Sequence, residues 1–306
     1  MTDARALNGW RRLGYRVLPG ELFSYILHLR PAEWPIMAAH TALGYVLAVG
    51  LGGVGRGTAA GPAALGLLLW VVCLNGGTLA LNSAFDRDDG DIGYLTAPPP
   101  PPRHLLAASL ALLCGGQALA CLLPAAYRID YAVCFLLSLL YSAPPARLKA
   151  VAGLDWIVNM WGFGTLTPLA GWAATGRGLG ALPSLVLGAF CPLFAGLYPL
   201  TQLYQLDEDR RRGDRTLALR LGERRSLALA LGCTGLAFGL FGAAAWVGQG
   251  AGWAAALLLP LAAWVAVLVP WYRGEPWTSA AHQRGMYRAL GAWALTDLAV
   301  VAVFAH

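Results

Sequence analysis

The sequence predicts an all-α integral membrane protein, a bundle of nine transmembrane helices, and three observations carry that expectation. Hydrophobic residues make up 58% of the 306 and charged residues only 12%, against about a quarter charged in an average soluble domain. Apolar runs fall at 35–54, 62–84, 104–124, 129–147, 153–175, 181–204, 224–247, 252–271 and 285–304, each long enough for a hydrocarbon core about 30 Å thick. The cations take sides. Of 22 Lys and Arg, only Arg56, Arg128 and Arg177 fall after odd-numbered runs; the other 19 lie in the N-terminal segment or after the second, fourth, sixth and eighth runs. By the positive-inside rule the N-terminus is cytoplasmic, in a multi-pass protein of a cell inner or plasma membrane.

The chain reads as one domain, 1–306, in contact with a lipid bilayer, with no nucleic-acid partner expected. Residues 1–30 form a cytoplasmic segment whose Arg5, Arg11, Arg12 and Arg16 flank no apolar core, so no cleaved signal peptide is expected. Gly and Ala recur through the apolar runs, as membrane helices that pack by close backbone approach require. The six cysteines include no C-x-x-C pair and the five histidines are scattered; the cysteines read as packing residues and the histidines suggest no metal site.

Polar chemistry collects at the cytoplasmic helix ends. The second run leads into Asn82-Ser-Ala-Phe-Asp86-Arg-Asp-Asp89-Gly-Asp91, and Asn82, Asp86 and Asp89 share one face if the helix continues. Asp88 and Asp91 point elsewhere unless the chain unwinds at Gly90 and Gly93. The loop 85–103 closes with prolines 98–102, a stiff, extended connector. After the sixth run, in the loop 205–223, Gln205 and Asp209 follow Gln202 at i+3 and i+7 on one face, with Asp207 and Glu208 off it. Between these clusters, Tyr141-Ser-Ala-Pro-Pro-Ala-Arg147-Leu-Lys149 holds the protein's one lysine.

Two carboxylate clusters facing each other repel unless a cation lies between them, and oxygen donors in small number suit Mg²⁺, which completes its shell with phosphate oxygens and water. Arg147, Lys149 and the arginines of 210–215 can neutralise such a phosphate. An apolar bundle beneath that head-group site suits an isoprenyl diphosphate.

Asn82-x-x-x-Asp86, Asp209-x-x-x-Gly213-x-x-Thr216-Leu-Ala, the loop 141–149 and Arg30-Pro31 together resemble the UbiA superfamily of intramembrane prenyltransferases, over most of the chain from about Arg30. The resemblance implies a central cavity in the bundle, Mg²⁺ bridging two aspartate-rich motifs to an isoprenyl diphosphate, ionisation of the allylic carbon–oxygen bond, and transfer to an aromatic or lipid-like acceptor. Carried over residue by residue, it implies catalytic roles for Asn82, Asp86 and Asp209. It implies metal ligation by these three with Asp89, Asp91, Gln205 and Asp207, with Glu208 behind them. Substrate binding falls to Arg30, Tyr141, Arg147, Lys149, Gln202, Tyr204 and Arg210. Two positions depart from the family pattern: Gly90 and Gln205 stand where it usually has Asp. Phe85, Tyr141, Trp156, Trp161, Phe163, Tyr198 and Tyr204 are candidates to shield a carbocation. A terpene cyclase built on the same ionisation is the alternative, and a transporter is disfavoured by acids gathered at one membrane face.

Overall fold

The computed structural model describes residues 9–86, 92–93, 95, 97–274 and 278–306, without the side chains of 208 and 212. Asp89 and Asp91 therefore lie outside the described residues, as does the side chain of Glu208. Two short helices, α1 (Gly9–Val17) and α2 (Leu22–His28), precede α3 (Trp34–Val49). A long helical stretch follows, α4 (Ala60–Leu68), a π-helical Leu69–Gly76 and α5 (Gly77–Asp86). Next come α6 (Leu105–Ala120), α7 (Ala125–Ser142), and a second π-interrupted rod of α8 (Leu154–Asn159), Met160–Leu166 and α9 (Thr167–Ala173). The second half holds α10 (Ala181–Gln202), α11 (Leu206–Arg212), α12 (Leu217–Leu221), α13 (Glu223–Gly248), α14 (Ala251–Ala256), α15 (Leu258–Arg273) and α16 (Ser279–Phe304). The described residues contain two isolated bridges and no strand.

The all-helical expectation holds, and helix lies in every apolar run. Among the described residues five stretches suffice on length and composition to cross a membrane: Ala60–Asp86, Ala181–Gln205, Glu223–Gly248, Ala251–Arg273 and Ser279–Phe304. The other apolar runs carry shorter or interrupted helices, for local reasons. Gly50, at φ 72°, ends α3 before the apolar run does, because only glycine enters that region without strain. The acidic loop after α10 is itself mostly helical, with α11 closed by Gly213 at φ 75°.

Two apolar cores form. One joins α10, α13, α15 and α16 through Phe190, Leu193, Phe241, Trp264 and Val300; the other joins α3 to α7 with the π segment through Leu69, Trp70, Leu81, Leu113 and Tyr131. The α3/α9 crossing links them. A Cβ on Gly44 would stand 1.7 Å from the Pro168 carbonyl oxygen, and one on Gly171 would stand 1.8 Å from that of Thr41. Only hydrogen fits in either gap.

Prolines shape the same region. Pro199 has no N–H to give Ala195, whose carbonyl instead accepts Trp156 Nε1 at 2.7 Å. Pro168 likewise cannot serve Gly164, whose carbonyl faces His40 Nε2 at 3.3 Å.

The N-terminal segment, expected from the sequence only to be cytoplasmic, folds over the proline loop. Phe23 and Leu27 of α2 pack with Ile92 and Leu95, and Arg11 Nη2 donates to the Ala97 carbonyl at 3.0 Å. His28 is buried, and burial, aided by Arg30, lowers its pKa from 6.5 to about 4 against the opposing pull of the Pro99 and Pro100 carbonyls.

Two outcomes follow. His28 is neutral in the closed clamp and protonates more readily in an open one, so the clamp is intact above pH 6.5 and weakens as pH falls towards 4. Amide exchange in α2, corrected for intrinsic rates, is expected to speed up across that window in the wild type and not in His28→Gln; equal profiles would contradict it. Gly171→Val forces backbone apart at the α3/α9 crossing, so its cost lies at or above the upper end of the about 1–3 kcal/mol of ordinary overpacking. A thermal midpoint in detergent equal to the wild type would refute that reading.

Candidate active site

A cavity of about 430 Å³ lies between the two cores, within the size range of small-molecule sites. One end is polar, lined by Asn82 and Asp86 from the last turns of α5, Lys149, Tyr141, and Gln205, Asp209, Asp214 and Thr216 from the far half of the chain. Its other wall is apolar: Met37 of α3, Trp70 and Leu74 of the first π segment, Phe163 of the second, Phe194 of α10 and Trp293 of α16. Both π segments face the cavity, where an extra residue per turn re-aims side chains. Asn75 precedes Asp86 by eleven residues, so the lining reaches roughly 16 Å down this rod at 1.5 Å per residue.

The polar end is a network of opposed charges. Lys149 Nζ contacts Asp86 Oδ2 and donates to Asn82 Oδ1 at 2.5 Å, and Ser142 Oγ donates to the same amide oxygen at 3.3 Å. Arg147 bridges the clusters, with Nη2 3.3 Å from Asp86 Oδ1 and Nη1 3.3 Å from Asp214 Oδ1. Asp209 is buried and accepts from Thr216 Oγ1 at 3.2 Å. Arg30 and Glu33 border the cavity and pair at 3.7 Å. Burial raises the Glu33 pKa, which Arg30 partly offsets.

One buried acid staples this end. Asp155 accepts from the Gly153 N–H at 2.8 Å, from Gln202 Nε2 at 3.0 Å and from the Leu217 N–H at 3.0 Å. Gln202 in turn accepts the Ala218 N–H at 3.2 Å and donates to the Tyr198 hydroxyl at 3.0 Å. Tyr198 and Tyr141 share a hydrogen bond of 3.0 Å. Acceptors from α8 and α10 thus fix the start of α12, which sets the position of Asp209 and Asp214 just before it.

Most residues singled out in the sequence line this cavity: Asn82, Asp86, Gln205, Asp209, Arg30, Tyr141, Lys149, Gln202 and Tyr204. Arg147 reaches it through Asp86. Asp207 and Arg210 are not brought to it. They pair with each other at 2.7 Å on the outer face of α11, their side chains 90% and 61% exposed, because an i, i+3 pair off the Gln205–Asp209 face points to solvent. Among the aromatic candidates, Tyr141, Phe163, Tyr198 and Tyr204 line the cavity, whereas Trp161 is exposed and Phe85 packs against the core of Leu69, Trp70 and Leu113. Asp214, Asp155, Glu33 and the His40–Asp297 pair went unread. Asp214 follows Asp209 by five residues, which was the one available signal.

Among the described residues no three His, Cys, Asp or Glu side chains stand close enough to hold a metal unaided. Asp86, Asp209 and Asp214 nonetheless line one cavity with the amide oxygens of Asn82 and Gln205. That donor set fits an ion which takes few protein ligands and fills its shell with phosphate and water. The Lys149 ammonium, lying against Asn82 and Asp86, shows that a cation fits between those oxygens.

A profile of the UbiA prenyltransferase family matches residues 38–290. A lycopene elongase/hydratase from Haloarcula japonica is 29% identical over 246 residues, 76% of this chain and 79% of that protein. Among solved structures, a UbiA homologue from Archaeoglobus fulgidus bound to DMAPP and Mg²⁺ superposes with a TM-score of 0.66 at 18% identity, covering 92% of this chain and 99% of the other. The same homologue bound to GPP and Mg²⁺ gives 0.62 at 18%, with 92% and 100% covered. A cavity flanked by two acid-bearing helix ends, this fold and the family match agree, and the chain belongs to the UbiA prenyltransferase family.

Proposed function

We propose that this protein is a Mg²⁺-dependent prenyltransferase that ionises an isoprenyl diphosphate and joins the prenyl group to a long apolar acceptor. Nine crossings with the N-terminus in the cytoplasm complete the reading, on the strength of the charge asymmetry between loops. One observation carries it: Asp86 and Asp209, from distant parts of the chain, border the same polar end of an apolar, aromatic cavity, with Lys149 and Arg147 beside them. The related elongase/hydratase favours a polyene-like acceptor over an aromatic one.

Asn82, Asp86, Gln205, Asp209 and Asp214 would hold Mg²⁺, which when bound would stabilise the charge growing on the departing diphosphate. Asp89 and Asp91 remain further proposed ligands. Lys149 and Arg147 exchange their carboxylate partners for phosphate oxygens, Lys149 as a point charge and Arg147 through its planar fork. Arg30 stands at the border of the cavity as a third cation. Donors fixed before the reaction need not reorganise during it, which is why such sites lower barriers. Phe163, Phe194, Tyr198 and Trp293 form a contiguous aromatic wall, with ring centroids 5.2, 6.4 and 5.6 Å apart across Phe163–Phe194, Phe194–Tyr198 and Phe194–Trp293. Their faces attract the allylic cation, and the apolar surroundings keep water from it.

Purified protein given five- to twenty-carbon prenyl diphosphates, Mg²⁺ and a polyene is expected to release pyrophosphate and form a prenylated acceptor. Asp86→Ala and Asp209→Ala are expected to lower that release by at least about 10³-fold, and Lys149→Ala by about 10²–10³-fold, the range for losing one preorganised charge-stabilising group. Release unaffected by EDTA, or by Asp86→Ala, would sink the proposal. A cyclic product formed without acceptor would assign the terpene cyclase reaction instead.

A further inference from the structure

Below the diphosphate end, the cavity wall carries a polar side chain that the protein leaves unbonded. Asn75, near the end of the π-helical Leu69–Gly76, lines the cavity and is 4% exposed, and among the described residues its Nδ2 has no hydrogen-bond partner. Other polar side chains of the wall bond within the protein. His40 is held between Asp297 and the Gly164 carbonyl. Thr167 Oγ1 donates to the Gly162 carbonyl at 2.9 Å, Thr201 Oγ1 to that of Tyr198 at 2.7 Å, and Asn159 Nδ2 to that of Asp155 at 2.8 Å. Leaving a buried amide unbonded costs stability, and a ligand that bonds it recovers that loss. A half-turn of the amide exchanges its oxygen and nitrogen, so the group can turn its N–H₂ to the cavity.

Thr78, three residues on in α5, supplies the complement. Its Oγ1 lies 2.7 Å from Ser138 Oγ on α7, and Ser138 Oγ donates to the Cys134 carbonyl at 2.8 Å. A hydroxyl has one hydrogen, so Thr78 donates to Ser138 and keeps only lone pairs. Thr78 lines the cavity with Asn75, on the face that leads to Asn82 and Asp86. Residues three apart on a helix stand about 5–6 Å apart at Cβ, a gap that one ligand oxygen bridges. An O–H satisfies both groups, accepting from Asn75 Nδ2 and donating to Thr78 Oγ1. A carbonyl or ether would meet Thr78 lone pair to lone pair, and a ligand with donors alone would take Asn75 by its oxygen and leave the N–H₂ unbonded.

Resting on the prenyltransferase reading above, we propose that Asn75 and Thr78 form a specificity subsite for one O–H group in the otherwise apolar half of the cavity. The O–H belongs either to an acceptor that is a long alcohol or to a water molecule held in the wall. In the first case the subsite selects the acceptor and fixes how far along the cavity it lies, because its hydroxyl is pinned roughly 16 Å from Asp86 along the rod at 1.5 Å per residue. The carbon presented to the allylic cation is then set by the distance from that hydroxyl. In the second case the water completes the wall, and a hydrocarbon acceptor packs over it.

Equilibrium binding tests the subsite without turnover. A polyene carrying one terminal hydroxyl and the same polyene without it are titrated against wild type, Asn75→Leu and Thr78→Val by quenching of tryptophan fluorescence, with Mg²⁺ and a non-ionisable prenyl diphosphate analogue present. The ordered water in the hydrocarbon complexes of wild type and Asn75→Leu is determined in parallel. If the O–H is the acceptor's, the wild type binds the alcohol at least about tenfold more tightly than the hydrocarbon, and each substitution brings the ratio of the two affinities to about one. If it is water's, the wild-type ratio is about one and a discrete water bridges Asn75 and Thr78 in the wild-type complex but not in Asn75→Leu. A ratio of about one without that water overturns the proposal. So does a preference for the alcohol that survives both substitutions, including one in which both affinities fall in proportion, which marks the two residues as structural. Absence of pyrophosphate release by the wild type with an ionisable prenyl diphosphate overturns the prenyltransferase reading instead, since the titrations involve no reaction.

Discussion

Mutual repulsion between carboxylates at a membrane interface is the constraint on which this architecture depends. Asp86, Asp209 and Asp214 border one cavity where water is scarce, and without compensation they would push the two halves of the bundle apart. Lys149 and Arg147 supply that compensation within the chain. Arg147 touches Asp86 on one side and Asp214 on the other, so a single guanidinium spans the two acid clusters. Such a network is preformed for an anion that brings its own cations, because each basic group can trade a carboxylate for a phosphate oxygen without moving far.

The backbone makes that meeting possible. Membrane helices gain little by expelling water from one another, so close approach must come from small residues and from polar groups that find partners across helices. Gly44 and Gly171 provide the first at the α3/α9 crossing. Proline provides the second by an indirect route: Pro199 and Pro168 cannot donate, so Trp156 and His40 come to the carbonyls of Ala195 and Gly164. Each is a place where a helix is tied to a neighbour at the level of the cavity wall.

Much of the site was legible because its residues repeat at helical spacing. Asn82 with Asp86, and Gln202 with Gln205 and Asp209, read as single faces and do line one cavity. The same rule put Asp207 off that face, and its pairing with Arg210 in solvent follows from it. What could not be read depended on contacts remote in sequence. Asp155 looks like one acid beside an apolar run until Gln202 and Leu217 arrive from other elements. His40 and Asp297 are separated by nearly the whole chain. The two helices of the N-terminal segment were hidden because they are short and find their partners in each other and in the loop before the prolines, Phe23 meeting Trp10 and Tyr15 and clustering with Ile92 and Leu95. Nine apolar runs were visible, whereas glycine and the π segments that shorten or interrupt their helices act through backbone geometry, which hydropathy does not register.

The central claim is that Asp86 and Asp209 act on one ligand. A double-mutant cycle on Mg²⁺-dependent binding of a non-ionisable prenyl diphosphate analogue, with Asp86→Asn, Asp209→Asn and the pair, tests it most directly. If both acids grip the same metal-bound diphosphate, either single substitution abolishes most of the binding that the pair abolishes, and the losses are strongly non-additive. Strictly additive losses would mean that the two acids serve separate ligands, and the shared site would have to be abandoned.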